Sequence, residues 1–194
     1  MLRDPRTSDP GTTPRVSVIA GPTGVGKGTV VSRLRVLHPE VFVSISATTR
    51  PPRPGEVDGV HYYFVDDDTF DELVASDGLL EWALVHGSAR YGTPRSPVEE
   101  AVAAGRVVIL EIDIQGARQV RHTYPAAQQI FVAPPSWEEL VQRLAGRGTE
   151  TADQQARRLE TARVEMQAAS EFDHVVVNGD VEETVRDLVA LLGL

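Results

Sequence analysis

The sequence predicts an α/β fold in which helices flank a parallel sheet and a second lobe is inserted into that core. Short apolar runs at 16–20, 107–112, 129–132 and 175–177 alternate with helix-like stretches, as in a parallel sheet wrapped by helices. A glycine-rich segment joins the first of these runs to the first helix. Proline, glycine, aromatic and charged residues then interrupt the alternation over 42–91, which indicates the insertion.

Composition bounds the size and the chemistry of the chain. Its 194 residues are 41% hydrophobic, which suffices for one well-packed domain with small inserts. The net charge of -9 argues against nucleic acid as a partner, because the phosphate backbone selects basic surfaces. The chain has no cysteine, which excludes disulfides, thiol chemistry and cysteine metal sites. No apolar run has transmembrane length and there is no signal-peptide core, so we expect a soluble, cytoplasmic protein without membrane partners.

The ends of the domain and of several helices can be placed from short patterns. Residues 1–14 are rich in Pro, Thr, Asp and Gly without periodicity, so we expect a flexible tail ahead of a domain at 15–194. Capping-box or related spacing predicts three helix starts, at Ser136 with Glu139, Thr151 with Gln154 and Asp180 with Glu183.

The glycine-rich segment, GPTGVGKGT, has the G-x-x-x-x-G-K spacing of a P-loop. In such a loop, backbone N–H groups and a helix N-terminus cradle phosphates while the lysine contacts the outer ones. Lys27 is the only lysine among the 19 Lys and Arg residues, and its compact ammonium suits this position. The alternative is a glycine-rich turn that merely joins strand to helix. The segment predicts a nucleoside triphosphate site formed by Gly21, Pro22, Thr23, Gly24, Val25, Gly26, Lys27, Gly28 and Thr29.

One position departs from the common P-loop motif. Gly28 stands where a Ser or Thr usually follows the lysine, and the hydroxyl is displaced to Thr29. Because Gly28 has no side chain, we expect no direct protein ligand to Mg²⁺, which would be held through ATP and water.

Two arginines, Arg50 and Arg53, lie three residues apart in a stretch that contains three prolines. Proline reduces chain entropy, so the guanidinium groups can be presented to an anion at lower ordering cost. Their planar forks suit bidentate phosphate recognition. The stretch predicts a second phosphate site, with a solvated basic loop as the alternative.

Several long segments together resemble the guanylate kinase family. They are the P-loop, SISATTRPPRPGEVDGVHYYF, LLEWALVHGSARYGT, ILEIDIQGA, FVAPPSWEEL, RLAGRGTET and VVVN, in order along nearly the whole chain from residue 15. The resemblance implies a P-loop kinase fold with a GMP-binding lobe at about 42–93 and a short lid at about 146–158. It also implies phosphoryl transfer from ATP to GMP and dGMP, giving ADP and GDP, with ATP and GMP as small-molecule partners and Mg²⁺ as cofactor.

The resemblance assigns the GMP phosphate to four side chains. Arg50 and Arg53 would hold its oxygens, aided by the hydroxyls of Tyr62 and Tyr91. For the two tyrosines, ordinary packing with the hydroxyl at the rim is the alternative.

The guanine base is assigned to a second group. Glu81 would read guanine, because its carboxylate can accept from the ring N1–H and the exocyclic amine together. A partly buried carboxylate beside a core tryptophan is the alternative for this residue. Ser46 and Thr93 would complete the base contacts, Thr93 standing where the family usually has serine. Asp113 matches an acidic position near GMP and the water shell of the metal.

On the ATP side, the resemblance adds residues beyond the P-loop. Arg147 matches an arginine of the family's lid, and Arg158 one on the following helix. With Lys27 and Arg50 they would form the catalytic set that neutralises the transferred phosphoryl group. Arg157 would point about 100 degrees away from Arg158 on a helix. Asn178 resembles an adenine-side contact.

The remaining arginines are expected to have structural roles. We expect ion pairs with acidic residues at Arg118, Arg121, Arg143 and Arg163.

Two rival functions stay open. Another P-loop monophosphate kinase is one rival function, which Glu81, Tyr62 and Tyr91 disfavour. A non-catalytic guanylate-kinase-like interaction module is the other, disfavoured by the presence of the P-loop lysine and the arginines of the phosphate sites.

Overall fold

The computed structural model describes residues 15–85, 89–145 and 152–194. The predicted tail, the predicted helix start at Thr151 and the first part of the predicted lid, 146–151 with Arg147, lie outside these residues. In chain order the elements are β1 (Val16–Ala20), α1 (Lys27–Leu37), β2 (Phe42–Val43), β3 (Ala47–Thr48), β4 (Tyr63–Phe64), α2 (Asp67–Ala75), β5 (Leu79–Val85), β6 (Ala89–Pro94), α3 (Arg95–Ala103), β7 (Val108–Glu111), α4 (Ile114–Thr123), β8 (Gln128–Ala133), α5 (Trp137–Ala145), α6 (Ala152–Gln167), β9 (His174–Val177) and α7 (Val181–Leu192).

The larger sheet has five strands in the order β2-β7-β1-β8-β9, and every neighbouring pair is parallel. The parallel sheet flanked by helices is therefore confirmed, with predicted strand ends within one residue of those observed. All five residues of β1 are buried, as expected for a strand covered on both faces. Val18 and Leu110 pack toward α3 and α4, whereas Ile19 and Ile109 pack toward α1, α5 and α7.

The smaller sheet has the order β4-β3-β6-β5 and occupies most of the predicted insertion. β3 pairs with β4 in parallel and with β6 antiparallel, and β6 also pairs antiparallel with β5. Helix α2 covers this sheet through Phe70, which packs with Ala47 and Leu79. Phe42–Val43, at the start of the predicted lobe, pairs with β7 in the larger sheet instead.

Two of the predicted helix starts are confirmed. The Ser136 hydroxyl accepts from the backbone N–H of Glu139 (3.1 Å), and the Asp180 carboxylate accepts from that of Glu183 (3.0 Å). Within the described ranges, no helix is both long and apolar enough to cross a lipid bilayer.

Candidate active site

The glycine-rich segment lies between β1 and α1, at the carboxyl edge of the larger sheet. Gly24 and Gly26 have φ of 81° and 97°, a left-handed conformation that disfavours side chains. At Gly21 a Cβ atom would lie 2.3 Å from the carbonyl oxygen of Val132 on β8. The glycines therefore permit a turn that no larger residue could form here, and α1 begins directly at Lys27.

The Lys27 side chain is folded back onto its own loop. Its Nζ donates to the carbonyl oxygens of Gly21 (2.7 Å) and Pro22 (3.3 Å). Burial lowers the pKa of Lys27, and the nearby carboxylates of Glu165 and Glu111 partly oppose this shift. The ammonium is thus held beside the loop by neutral carbonyls, within the field of several acidic groups.

Glu165 is a site residue that the sequence analysis missed. Its carboxylate, on α6, accepts from the backbone N–H of Thr23 in the P-loop at 2.7 Å. Burial raises the pKa of Glu165, while that hydrogen bond and Lys27 lower it. The helix after the predicted lid is therefore tied directly to the phosphate-binding loop.

A second set of contacts braces the P-loop from the opposite side. The Val25 carbonyl oxygen accepts from the Asn178 side-chain amide (2.8 Å) and from Arg143 (2.9 Å). Asn178 is 3% exposed, and its side-chain oxygen accepts from the Thr184 hydroxyl (3.1 Å). Both polar ends of the Asn178 side chain thus have protein partners, and its adenine contact stays a prediction. The ion pair expected for Arg143 is confirmed, with Glu139 at 2.5 Å.

The other expected ion pairs are also present. Arg118 pairs with Glu171 at 2.6 Å. Arg121 lies 3.9 Å from Asp173, and Arg163 lies 3.7 Å from Glu160. These side chains have the structural role that was expected of them.

Arg50 is held on several sides in the smaller lobe. Its terminal nitrogens donate to the two carboxylate oxygens of Glu56 (2.7 and 2.8 Å), and its Nε donates to the Tyr91 hydroxyl (3.0 Å). The guanidinium carbon lies 5.2 Å from the centre of the Tyr62 ring. The sequence analysis placed Arg50, Tyr62 and Tyr91 in one site, and the structure brings them together.

Glu56 was missed, although it lies within the predicted arginine stretch. It also accepts from the backbone N–H of Arg53 at 2.7 Å. Hydrogen bonds from Arg50 and from that N–H lower the pKa of Glu56 to about 2. The Arg53 residue itself is exposed at the surface of the lobe.

Glu81 lies on β5 and is 7% exposed. Its Oε1 accepts from the Thr93 hydroxyl on β6 at 2.7 Å. Burial is the main cause that raises the pKa of Glu81 to about 7, with a contribution from the charge of Asp113. A Cβ atom at Gly116 on α4 would lie 2.9 Å from Glu81 Oε2, so the carboxylate would have to shift if this residue were not glycine.

Asp113 and Ser46 lie near the same lobe but use different atoms. The Asp113 carboxylate caps α4 by accepting from the backbone N–H of Gly116 at 2.7 Å, and the residue is exposed. The Ser46 carbonyl oxygen accepts from the backbone N–H of Tyr63, at the start of the smaller sheet.

A cleft of about 650 Å³ separates β5 from α6 and extends to the start of α4. Leu84, Asp113, Arg157 and Glu165 are among the residues that line it. The cleft therefore lies beside Glu165, which binds the P-loop, and beside Asp113, whose charge contributes to the raised pKa of Glu81. Of the two adjacent arginines on α6, Arg157 is among the residues that line the cleft. The role of Arg158 stays a prediction.

The surroundings of the P-loop bear on how a metal ion could be held there. Within residues 15–85, 89–145 and 152–194, no group of three or more His, Asp or Glu could hold a metal ion. A Cβ atom at Gly28 would lie 3.4 Å from a carboxylate oxygen of Glu111. The position after the lysine therefore offers no side-chain ligand but lies close to an acidic group.

Comparisons with known proteins agree on one family. The model of the guanylate kinase family matches residues 13–193. The chain is 65% identical to a guanylate kinase of Cutibacterium acnes, over 92% of this chain and 90% of that protein. It is 60% identical to one of Thermobifida fusca, over 92% of this chain and 90% of that protein. Among solved structures, it is similar to guanylate kinase from Anaplasma phagocytophilum, with a TM-score of 0.70, 34% identity and coverage of 92% and 84%.

Proposed function

The chain belongs to the guanylate kinase family and transfers a phosphoryl group from ATP to GMP, and we propose how its described residues carry out that reaction. The observation that carries the function is 65% identity to a named guanylate kinase over 92% of the chain. The intact P-loop with Lys27 argues against a non-catalytic interaction module. The buried Glu81 beside Thr93 argues against a kinase for another base.

For GMP, we propose that Arg50, Arg53, Tyr62 and Tyr91 bind the phosphate. The geometry supports Arg50 most strongly, because Tyr91 and Glu56 already fix the plane of its guanidinium group. A fork that is fixed before the ligand arrives loses less side-chain entropy on binding.

For the base, the ionised carboxylate of Glu81 accepts hydrogen bonds from the N1–H and the exocyclic amine of guanine. Thr93 orients one carboxylate oxygen and leaves the other available. Ser46 and Asp113 complete the base and ribose side. Neither of the two donors of guanine has a counterpart on adenine, so the pocket selects GMP and dGMP.

For ATP, the backbone N–H groups of residues 21–29 and the N-terminus of α1 cradle the phosphates. Lys27 exchanges its carbonyl partners for phosphate oxygens, which its lowered solvation favours. We place Arg147 and Arg158 on the transferred group and Asn178 on the adenine side, as the family resemblance implies. Mg²⁺, bound through ATP and water with Asp113 near its water shell, supplies charge neutralisation of the phosphates.

The chemistry requires positioning and neutralisation rather than a general base. The GMP phosphate is already anionic and attacks in line. In this scheme the GMP lobe closes over the cleft, and closure excludes water that would otherwise hydrolyse ATP. Because cells hold ATP and GMP in the cytoplasm, we place the enzyme there.

A coupled assay of the purified protein with ATP and Mg²⁺ against a panel of nucleoside monophosphates tests this proposal. We expect GMP and dGMP to be phosphorylated far faster than AMP, CMP or UMP. A different preferred base would contradict the role of Glu81, and no turnover with any base would favour an interaction module.

A further inference from the structure

Strand β5 is held at the residues on either side of Glu81 by side chains of helix α4. The Gln119 side chain accepts from the backbone N–H of Trp82 (3.0 Å) and donates to the carbonyl oxygen of the same residue (2.8 Å). On the other side, the Thr123 hydroxyl donates to the carbonyl oxygen of Leu80 (2.5 Å). The two neighbours of Glu81 are therefore both tied to the core of the protein.

These contacts are made on the side of β5 that has no neighbouring strand in the smaller sheet. β5 is the edge strand, so its outer backbone groups face away from β6. The N–H and C=O of one strand residue point to the same side, and the planar amide of Gln119 satisfies both, as an antiparallel neighbour would. At Trp82, the Gln119 amide thus takes the place of a neighbouring strand.

The pairing with β6 is irregular at the same place. Leu79 pairs with Pro94 and Glu81 with Thr93, so the register shifts between Leu79 and Glu81. A bulge of this kind interrupts the ladder and re-aims the nearby side chain. The ladder with β6 alone therefore does not define the position of Glu81.

Helix α4 presents one face to this strand. Gly116, Gln119 and Thr123 follow at spacings of three and four residues, which places them on one side of the helix. Gly116 leaves room for the Glu81 carboxylate, while the other two bind the flanking backbone. The helix is capped by Asp113 at the cleft.

We propose that Gln119 is a positioning residue for guanine discrimination, acting through the backbone of β5 on Glu81. The proposal rests on the role of Glu81 given above. Gln119 binds the backbone of Trp82 and contacts no substrate in this scheme. It sets where the carboxylate stands relative to the base.

The test compares kcat/KM for GMP with kcat/KM for IMP, whose base keeps the N1–H but lacks the exocyclic amine. In Gln119→Leu, which keeps the side-chain size but removes both hydrogen bonds, we expect the GMP to IMP ratio to fall roughly tenfold, since displacing a binding group by about 1 Å can cost up to about 100-fold. The KM for ATP should stay unchanged. Thr123→Val should lower the GMP to IMP ratio by a smaller factor. It is the alternative test if Gln119→Leu folds poorly. His122→Leu, at an exposed position of the same helix, is the control.

Two further variants separate the role of Glu81 from the positioning role of Gln119. They are Glu81→Gln and the double variant Glu81→Gln, Gln119→Leu. Glu81→Gln alone should lower the ratio strongly, and adding Gln119→Leu should not lower it further. If Glu81→Gln lowers the ratio but Gln119→Leu and Thr123→Val do not, the positioning role is wrong while the role of Glu81 stands. An equal loss in both backgrounds would also overturn it, because Gln119 would then act independently of Glu81. An unchanged ratio in Glu81→Gln would overturn both.

Discussion

The proposed ATP site in the P-loop and the proposed GMP site in the smaller lobe use different parts of the chain. Around 21–29 the recognition groups are backbone N–H donors arranged by glycines and one lysine. In the smaller lobe they are side chains that hold one another, such as Arg50 with Tyr91 and Glu81 with Thr93. Backbone donors do not titrate and are removed only by substitution with proline, whereas a side-chain network depends on every member and on pH. We therefore expect the two regions to respond differently to mutation and to protons.

Each of the two proposed sites also has a carboxylate that accepts a hydrogen bond from a proposed phosphate-binding group, but the two carboxylates differ in origin. Glu56 reaches Arg50 from six residues away, and its pKa is lowered to about 2. Glu165 reaches the Thr23 N–H from another helix, 142 residues away, and burial raises its pKa. The contact in the GMP lobe is thus local and strongly ionised. The contact at the P-loop is long-range and joins it to the helix that follows the lid.

The largest expected effect is that of Lys27→Ala. We expect turnover to fall at least roughly 1000-fold, because one preorganised charge at the transferred group is removed. GMP affinity, measured by isothermal titration calorimetry, should stay within about twofold, since roughly tenfold corresponds to 1.4 kcal/mol and no GMP contact is lost. If GMP affinity fell as steeply as turnover, the two regions would not be separate sites.

The next largest effect is expected for Arg50→Lys. A lysine cannot replace the fork, and losing one charge-assisted hydrogen bond costs about 1.5–3 kcal/mol, or about 10- to 100-fold in the KM for GMP. The KM for ATP should not change. Arg53→Lys is the matched comparison and should cost less, because Arg53 is exposed and must be ordered by the ligand. Equal effects of the two variants would show that the fixed fork gives no advantage.

A smaller effect is expected on the pH dependence of GMP affinity, because Glu81 titrates in the GMP site whereas the backbone donors of the P-loop do not. With the pKa of Glu81 at about 7, guanine binding requires loss of its proton, so GMP affinity should rise with pH by up to about tenfold per unit below 7 and level off above it. In Glu81→Gln the step near 7 should vanish, leaving only the titration of the GMP phosphate, whose second pKa is about 6. Titration calorimetry across this range measures both. A step that persists in the variant would place the titrating group elsewhere.

The same shift affects the stability of the empty enzyme. The pKa of Glu81 is raised from 4.5 to about 7, so between these values the folded chain binds more protons than the unfolded one. The contribution of Glu81 to the free energy of unfolding therefore falls as pH rises through that window. Glu81→Gln should remove this dependence in thermal melts.

The smallest effect concerns Gly28 on the P-loop side. Gly28→Ser should lower the Mg²⁺ concentration needed for half-maximal turnover, because its hydroxyl adds an oxygen near the metal. Gly28→Ala is the control, since it adds the same Cβ near Glu111 without the hydroxyl. Turnover of the unchanged enzyme should depend strictly on Mg²⁺, and calorimetry should detect no Mg²⁺ binding without nucleotide. Tight binding by the nucleotide-free protein would reveal a preformed carboxylate site.

The sequence predicts the parts of the site that depend on local spacing. The P-loop, the strands of the larger sheet and the cluster of Arg50 with two tyrosines all follow from short patterns or family segments. Glu165 and Gln119 could not be found in this way, because their partners lie 142 and 37 residues away and only the tertiary fold brings them together. The register shift in β5 is equally invisible, since alternation along one strand does not report its pairing.

The order of the larger sheet also has a consequence during translation. β1 carries the P-loop, yet Val16 pairs with Val108 and Ser17 with Gln128. While the chain is being synthesised, β1 has no sheet partner until β7 leaves the ribosome, and such non-local parallel pairing forms slowly. The pairing of Thr48 with Tyr91 in the smaller sheet can form earlier. The nucleotide-binding loop therefore acquires its support only after the GMP-side sheet has emerged, and a nascent chain that stops before β7 has no strand to hold it.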